Sequence, residues 1–245
     1  MFNLRVIGHV ASGVADRKAL GPLGVRAAIE LLPEYASGLL KFERHSHVWV
    51  LAWLDRAERD VLQVTPRGVA DPSPAGLHGV FAVRSPVRPN PIGLTLAHVL
   101  GVKGTRIELD RLDLLDGTPV IDLKPYFVNR DIVFSAANVQ IGKPLSREAL
   151  HDSLMLQAVN FHGEQCPDVE LAVTLYEQFR ADVLEMEDPV GILVTAPLVR
   201  PHLIDGLMGM TRATPGRGNL CYGSENKVCF EAFRKSATYD LPPAR

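Results

Sequence analysis

The sequence predicts an α+β protein in two parts, an all-β first half followed by a half that mixes helices and strands. Three observations lead there. Short β-branched and aromatic runs, separated by glycine and proline, fill the first 130 residues in the pattern of a barrel or sandwich. After "IGKPLS" (141–146) the apolar spacing becomes that of amphipathic helices. Charge changes at the same place: residues 1–145 carry 17 Lys and Arg against 14 Asp and Glu, whereas residues 146–245 carry 9 against 14. The boundary is expected near 142–150, with residues 1–142 as the first domain and 146–245 as the second.

The elements follow in order. "RAAIELLPEY" (26–35) is a short extended run closed by proline. "HSHVWVLAWL" (45–54) is continuously apolar, as for a strand buried on both faces. Residues 64–78 form a loop rich in proline and glycine. "LHGVFAVR" (77–84) and "GLTLAHVLGV" (93–102) read as strands flanking "RSPVRPNPIG" (84–93). There, three prolines fix φ and push the preceding residues towards extended backbone, giving a stiff strap that carries Arg84, Arg88 and Asn90. "TRIELDRLDLLDG" (105–117) alternates through Ile107 and Leu109, then shifts to Leu112 and Leu114, which predicts a bulge or corner. "TPVIDLKPY" (118–126) follows a turn at Asp116-Gly117.

In the second half, Ser146 is placed to cap a helix through residues 147–161. "FHGEQCPD" (161–168) is a loop. Residues 169–186 then form an amphipathic helix with Ala172, Leu175, Tyr176, Phe179 and Val183 on one face. "VGILVTAPLV" (190–199) reads as a strand and "RPHLIDGLMGM" (200–210) as a short helix. "LCYGSENKVCFEAF" (220–233) reads as a hairpin bent at "SENK", with Cys221 and Cys229 in its strands.

Bulk composition narrows the classes. Of 245 residues, 47% are hydrophobic and 22% charged, enough apolar material for two cores. No apolar stretch reaches the length of a membrane span, and "MFNLRVIGHVASG" at the start lacks a signal-peptide pattern. Three cysteines are too few, and odd in number, for a disulfide framework. A cytoplasmic protein with no membrane partner is the expectation. The first half lacks the dense basic patch of a dedicated nucleic-acid binder, so arginines that touch RNA should be local to a site.

Taken singly, the polar residues of the first half have ordinary readings. Asp116 before Gly-Thr-Pro suits a tight turn closed by its own side chain. Asp122 and Lys124 suit an exposed strand face, and His47 a core histidine beside Trp49. In combination, "GVFAVRSPVRPNPIGLTL" followed by "LDLLDGTPVIDLKPY" resembles the TsaA/TrmO (YaeB-like) family of S-adenosylmethionine-dependent tRNA methyltransferases. "IELLPEYASGLLKFERHSHVWVLAWL" resembles the preceding segment of that family, and the likeness covers most of residues 4–130. It implies a small β-barrel, S-adenosylmethionine bound near a homodimer interface, and N6-methylation of threonylcarbamoyladenosine beside the tRNA anticodon. Carried over by residue, it places Arg84 and Leu96 at the cofactor, with the turn Asp116-Gly117-Thr118-Pro119 on another side. Arg88, Asn90 and Lys124 are left to cofactor or substrate. Two positions depart from the family. The first loop lacks its Pro-Arg-Gln and offers Arg17, and the family's histidine after the buried strand is replaced in "WLDRA", which offers Asp55 and Arg56. Methyl transfer is an in-line displacement, so the protein's task is positioning. Carboxylates suit a cationic donor, and arginine's planar fork suits a carboxylate tail or phosphate.

The second half has its own constellation. His162 and Cys166 stand four apart before a helix, and nitrogen with thiolate is a zinc-type pair. A buried cysteine with a loop histidine is the ordinary alternative. "NFHGEQCPDVELAV" with "HLIDGLMGMTRATPGRGNL" resembles the FmdE-like domain over roughly residues 150–235. That resemblance adds His202 as a third zinc ligand, with Asp205 or water as a fourth. Three functions remain open: methylation of tRNA, methylation of a small molecule handled by the second domain, and a metal-binding module regulated by a cofactor-binding barrel.

Overall fold

The computed structural model describes residues 3–243, which fall into two compact units. The first comprises residues up to Pro66 and Asp71–Val133; the second comprises Arg67–Ala70 and Phe134 onward. The division therefore falls at Val133/Phe134, with a four-residue excursion of the proline-rich loop into the second unit. No described helix is long and apolar enough to cross a membrane.

The first unit is a closed six-stranded barrel. Its strands are β1 (Gly8–Ala11), β2 (Val25–Leu31), β3 (His47–Trp53), β6 (Ile92–Lys103), β7 (Arg106–Leu112) and β8 (Pro119–Pro125), in the order β1-β2-β7-β6-β3-β8, with β8 returning to β1. All neighbours are antiparallel. A two-stranded ribbon, β4 (Gln63–Val64) with β5 (His78–Gly79), and one helical turn, α1 (Val128–Asp131), complete it. Alternation decides which side chains enter. Val48, Val50 and Ala52 of β3 point inwards and are fully buried, with Ile29, Ile107, Leu109 and Val120.

Three expectations change here. β3 is not buried on both faces: a closed barrel has one interior, so Trp49, Leu51 and Trp53 alternate onto the outside, half-buried. The strand expected over 77–84 is reduced to His78–Gly79, after which the chain turns and Phe81 is 83% exposed. β1 went unpredicted. The phase shift in β7 is real: Leu109 lies opposite Ala27 and Leu112 opposite Val25, a bulge that keeps both leucines buried.

The second unit packs α2 (Arg147–His162), α3 (Pro167–Gln178) and α4 (Pro201–Thr211) with a four-stranded sheet. That sheet comprises β9 (Leu193–Pro197), β10 (Leu220–Gly223), β11 (Lys227–Ala232) and β12 (Lys235–Asp240), in the order β10-β9-β11-β12. Ser146 caps α2 by accepting the Ala149 N–H at 3.1 Å. The α3 segment ends in a π-helical turn, Phe179–Val183, and Phe179 and Tyr176 pack on Phe230 of β11. The hairpin expected at "SENK" does not form. β10 runs parallel to β9, and β11 joins the other side of β9. Cys221 and Cys229 are consequently both opposite Thr195, from its two sides, and both are free thiols. The hairpin is β11–β12, turning at Phe233 and Arg234, both in the left-handed region (φ 51° and 63°).

Candidate functional site

Four loops at one end of the barrel surround a cleft of about 360 Å³. Arg17 reaches it from the β1–β2 loop, residues 54–58 from the segment after β3, Pro86 and Val87 from the strap, and Leu115 and Thr118 from the β7–β8 turn. The lining thus offers two guanidinium groups (Arg17, Arg56), two carboxylates (Asp55, Glu58) and an apolar set of leucine, valine and proline.

Each loop is held by a specific bond. The Asp116 carboxylate accepts the N–H groups of Ser12 (2.9 Å) and Gly13 (3.0 Å), while its own N–H donates to Val14 O at 2.8 Å. Asp116 therefore latches the loop that carries Arg17. That loop rejoins the barrel at Gly24, where φ is +81° and a Cβ would lie 2.3 Å from the Leu112 backbone, so no side chain fits. The strap is stiffened from within by Arg88, whose guanidinium donates to Ser85 O (2.8 Å), Val80 O (2.8 Å) and Val83 O (2.5 Å). It is fastened to the segment after β3 by the Arg88 N–H to Glu58 O (3.2 Å) and Arg59 Nε to Pro89 O (3.0 Å). Arg59 also lies over the Trp53 ring, 5.4 Å from its centroid.

The sequence candidates are sorted by this geometry. Arg17, Asp55, Arg56 and Thr118 line the cleft together, and Asp116 and Gly117 form the turn beside it. Pro119 opens β8 opposite His9. Arg88 is spent on carbonyls and holds the strap's shape. Arg84 is exposed at the start of the strap, outside the lining. Leu96 stands opposite Trp49 on the outer side of β6. Asn90 lines a second hollow of about 520 Å³ with Trp53, Arg59, Ile92 and Ile121. Lys124 is exposed and ion-paired with Asp122 at 2.6 Å. Glu58, Leu54, Val87 and Leu115 were missed by sequence reasoning; their only signal is adjacency to residues already singled out.

His47 sits at the other end of β3, its ring 4.9 Å from that of His98. Burial, then the neighbouring His98, pushes the His47 imidazole below its ordinary value of 6.5. It is a packed, neutral-favouring histidine rather than part of the cleft.

In the second unit, His162, Cys166 and His202 come together. His162 Nε2 is 3.0 Å from His202 Nδ1 and 3.7 Å from Cys166 Sγ, and Sγ is 3.8 Å from His202 Nδ1. On its other edge, His162 Nδ1 meets Asp205 Oδ2 at 3.1 Å.

An antiparallel barrel with a loop-built cleft of mixed charge has the form of a small-ligand site and is not a dinucleotide-binding sheet. The comparisons make it particular. Residues 17–132 match the model of the tRNA-methyltransferase O N-terminal domain. A probable S-adenosyl-L-methionine-binding protein of Methanothermobacter thermautotrophicus is 46% identical over 134 residues, covering 53% of this chain and 93% of that protein. Another, from Archaeoglobus fulgidus, is 38% identical over 201 residues, 79% of this chain and 52% of that protein, so the chain spans about half of that relative's length. A mouse protein named tRNA (adenine(37)-N6)-methyltransferase is 41% identical over 110 residues, 44% of this chain and 24% of that protein. The chain belongs to the family of the tRNA-methyltransferase O N-terminal domain.

Proposed function

We propose that the protein is an S-adenosylmethionine-dependent methyltransferase acting on tRNA, with N6 of threonylcarbamoyladenosine beside the anticodon as acceptor. The observation that carries the cofactor assignment is the cleft, which gathers Arg17, Asp55, Arg56 and Thr118 from three of its four loops. Its donor set fits a zwitterionic sulfonium. Arginine forks suit the carboxylate tail, carboxylates suit ammonium, sulfonium and ribose hydroxyls, and the Leu54, Val87 and Leu115 surfaces suit a purine. The bound cofactor would supply an electrophilic methyl group. The chain's contribution is positioning: loops held before binding reduce the ordering cost, and a fixed cleft holds the acceptor in line.

The tRNA acceptor is supported by the family and by the name of the mouse relative. We also read the protein as a homodimer, meeting through the outer face of β3 and β6. Ile92 (38% exposed) and Leu94 (42%) stand there beside Leu96, Trp49 and Leu51, an apolar strip across neighbouring strands. Leu96 would then approach a cofactor from that interface. The second unit we read as an FmdE-like accessory domain, on its His162/Cys166 and Asp205 motifs.

Calorimetric titration with S-adenosylmethionine is the direct test. Saturable 1:1 binding is expected, weakened at least tenfold in Arg17→Ala and Asp116→Ala; heat-silent wild-type protein would remove the cofactor assignment. Methyl transfer from labelled cofactor to tRNA carrying or lacking the threonylcarbamoyl group then decides the acceptor. Equal incorporation into both would refute the modified-base specificity.

A further inference from the structure

We infer that the second unit binds one divalent transition-metal ion of the zinc class through His162 Nε2, Cys166 Sγ and His202 Nδ1, leaving the fourth position open to solvent. The inference is independent of methyl transfer, because the residues belong to the other unit.

Three helix ends deliver the ligands. His162 is the last residue of α2, Cys166 the N-cap of α3, and His202 the second residue of α4. Two glycines let α4 come close enough. A Cβ on Gly206 would lie 3.0 Å from the Ala172 Cβ, and one on Gly209 would lie 2.7 Å from the Phe161 Cβ and 2.9 Å from Gln157 O. Arg200, 5% exposed, then locks the start of α4 to the start of α3. It donates to the Asp168 carboxylate at 2.5 Å and to Pro242 O at 2.7 Å. The ligand atoms are therefore positioned by the fold rather than by an ion.

Their triangle has the dimensions of a tetrahedral site. Metal–nitrogen bonds of about 2.0–2.1 Å and a metal–sulfur bond of about 2.3 Å place two nitrogens about 3.3 Å apart, and nitrogen and sulfur about 3.6 Å apart. The observed separations are 3.0, 3.7 and 3.8 Å, within a few tenths of an ångström. Asp205 completes the arrangement. By accepting the Nδ1–H of His162, it leaves the Nε2 lone pair facing the other two ligands, the role of a carboxylate that orients a metal-bound histidine. It is a positioning residue.

A hydrogen-bonded thiol–imidazole–carboxylate chain with Cys166 as a nucleophile is the competing arrangement. It needs neither the third corner nor equal spacing, since a thiol donates its one proton to one acceptor. Here Sγ is equidistant from the two ring nitrogens to within 0.1 Å, as around a shared ion. Two nitrogens and a sulfur, with no oxygen ligand, suit zinc or cobalt and not magnesium or calcium. His202 is exposed while the His162 side chain is 10% exposed, so the open corner faces water on the His202 side.

The test is Co²⁺ titration of the chelator-stripped full chain, read by absorption. One equivalent should bind, with a thiolate-to-cobalt charge-transfer band that excess Zn²⁺ abolishes. Cys166→Ser should lose that band. Asp205→Asn should weaken binding about 10–100-fold while keeping it, and His202→Ala, at an exposed position that the fold tolerates, should weaken it further. Absence of stoichiometric binding, or a cobalt spectrum surviving Cys166→Ser, overturns the site. So does iodoacetamide modification of Cys166 that is equally fast with and without metal, which would favour the nucleophile.

Discussion

On the barrel, the residues facing the cleft come from four loops and meet because backbone groups and three structural side chains, Arg59, Arg88 and Asp116, tie those loops down. In the second unit, the converging groups sit on helix termini, and buried packing plus one ion pair sets their distances. A loop-built site changes its lining without disturbing the strands beneath. A helix-end site is inseparable from the packing of its helices. The first should lose ligand affinity as individual loop bonds are removed while the barrel stays folded, and the second should lose site and fold together.

Arg200→Ala is the sharpest way to break that contrast. Removing one partner of a buried ion pair costs about 3–5 kcal/mol; with Asp168 25% exposed the cost should lie at the lower end, and both Arg200 and the start of α3 belong to the metal triangle's frame. Both tryptophans, Trp49 and Trp53, lie on β3 of the barrel, while α2, α3 and α4 are all in the second unit. The variant should shift the urea midpoint followed by far-ultraviolet dichroism of the helices and abolish cobalt binding. It should leave the tryptophan transition in place. Loss of helix stability with cobalt binding intact would show that the ligands are held some other way.

Arg88→Ala should cost the barrel about 2 kcal/mol, because a charged donor to three carbonyls is removed and Val80, 1% exposed, keeps an unsatisfied oxygen. Cofactor affinity should fall tenfold or more although Arg88 does not line the cleft. Arg88→Lys should restore little, since one ammonium cannot span three acceptors. Unchanged affinity in a destabilised Arg88→Ala protein would mean that the strap's shape is irrelevant to the cleft.

How much of this was legible follows from the same contrast. The barrel strands other than the short β1, the bulge at Leu109/Leu112 and the helices of the second half are written in apolar periodicity, which is local. Arg17, Asp55, Arg56 and Thr118 were reachable through motif resemblance, but no spacing rule separates Arg88, a strap staple, from a ligand contact. That distinction depends on where Val80 and Val83 turn their carbonyls. The β10–β11 pairing failed for a related reason. "SENK" carries turn residues, whereas the turn that forms uses Phe233 and Arg234 with positive φ and no glycine or asparagine. Replacing Phe233-Arg234 by Asn-Gly should therefore raise the stability of the second unit by about 1 kcal/mol, read from the dichroism midpoint. A decrease would mean that the Phe233 side chain, 58% exposed, contributes more than its strained backbone costs.

The smallest expected difference between the units is in their acid sensitivity. His47 on β3 faces His98 on β6 and Asp110 and Arg111 on β7, and burial, then His98, holds its imidazole below the ordinary 6.5. The unfolded chain protonates first, so the stability contributed by neutral His47 is full above pH 6.5 and is lost as the pH falls through that value to the folded one. Glu177 on α3 behaves differently. Burial pushes its carboxyl up, but hydrogen bonds from Arg147 and His151 outweigh this and hold it below 4.5. Its contribution is complete above pH 4.5 and disappears only as the pH falls below that value. Between pH 6.5 and 5 the tryptophan-detected urea midpoint of the chelator-stripped protein should drift downwards, while Glu177 adds no drift to the helix-detected midpoint over that range. His47→Gln should flatten the tryptophan drift. A barrel midpoint that is flat in the wild type, or a drift that survives His47→Gln, would remove His47 as the cause and leave the remaining barrel groups to explain it.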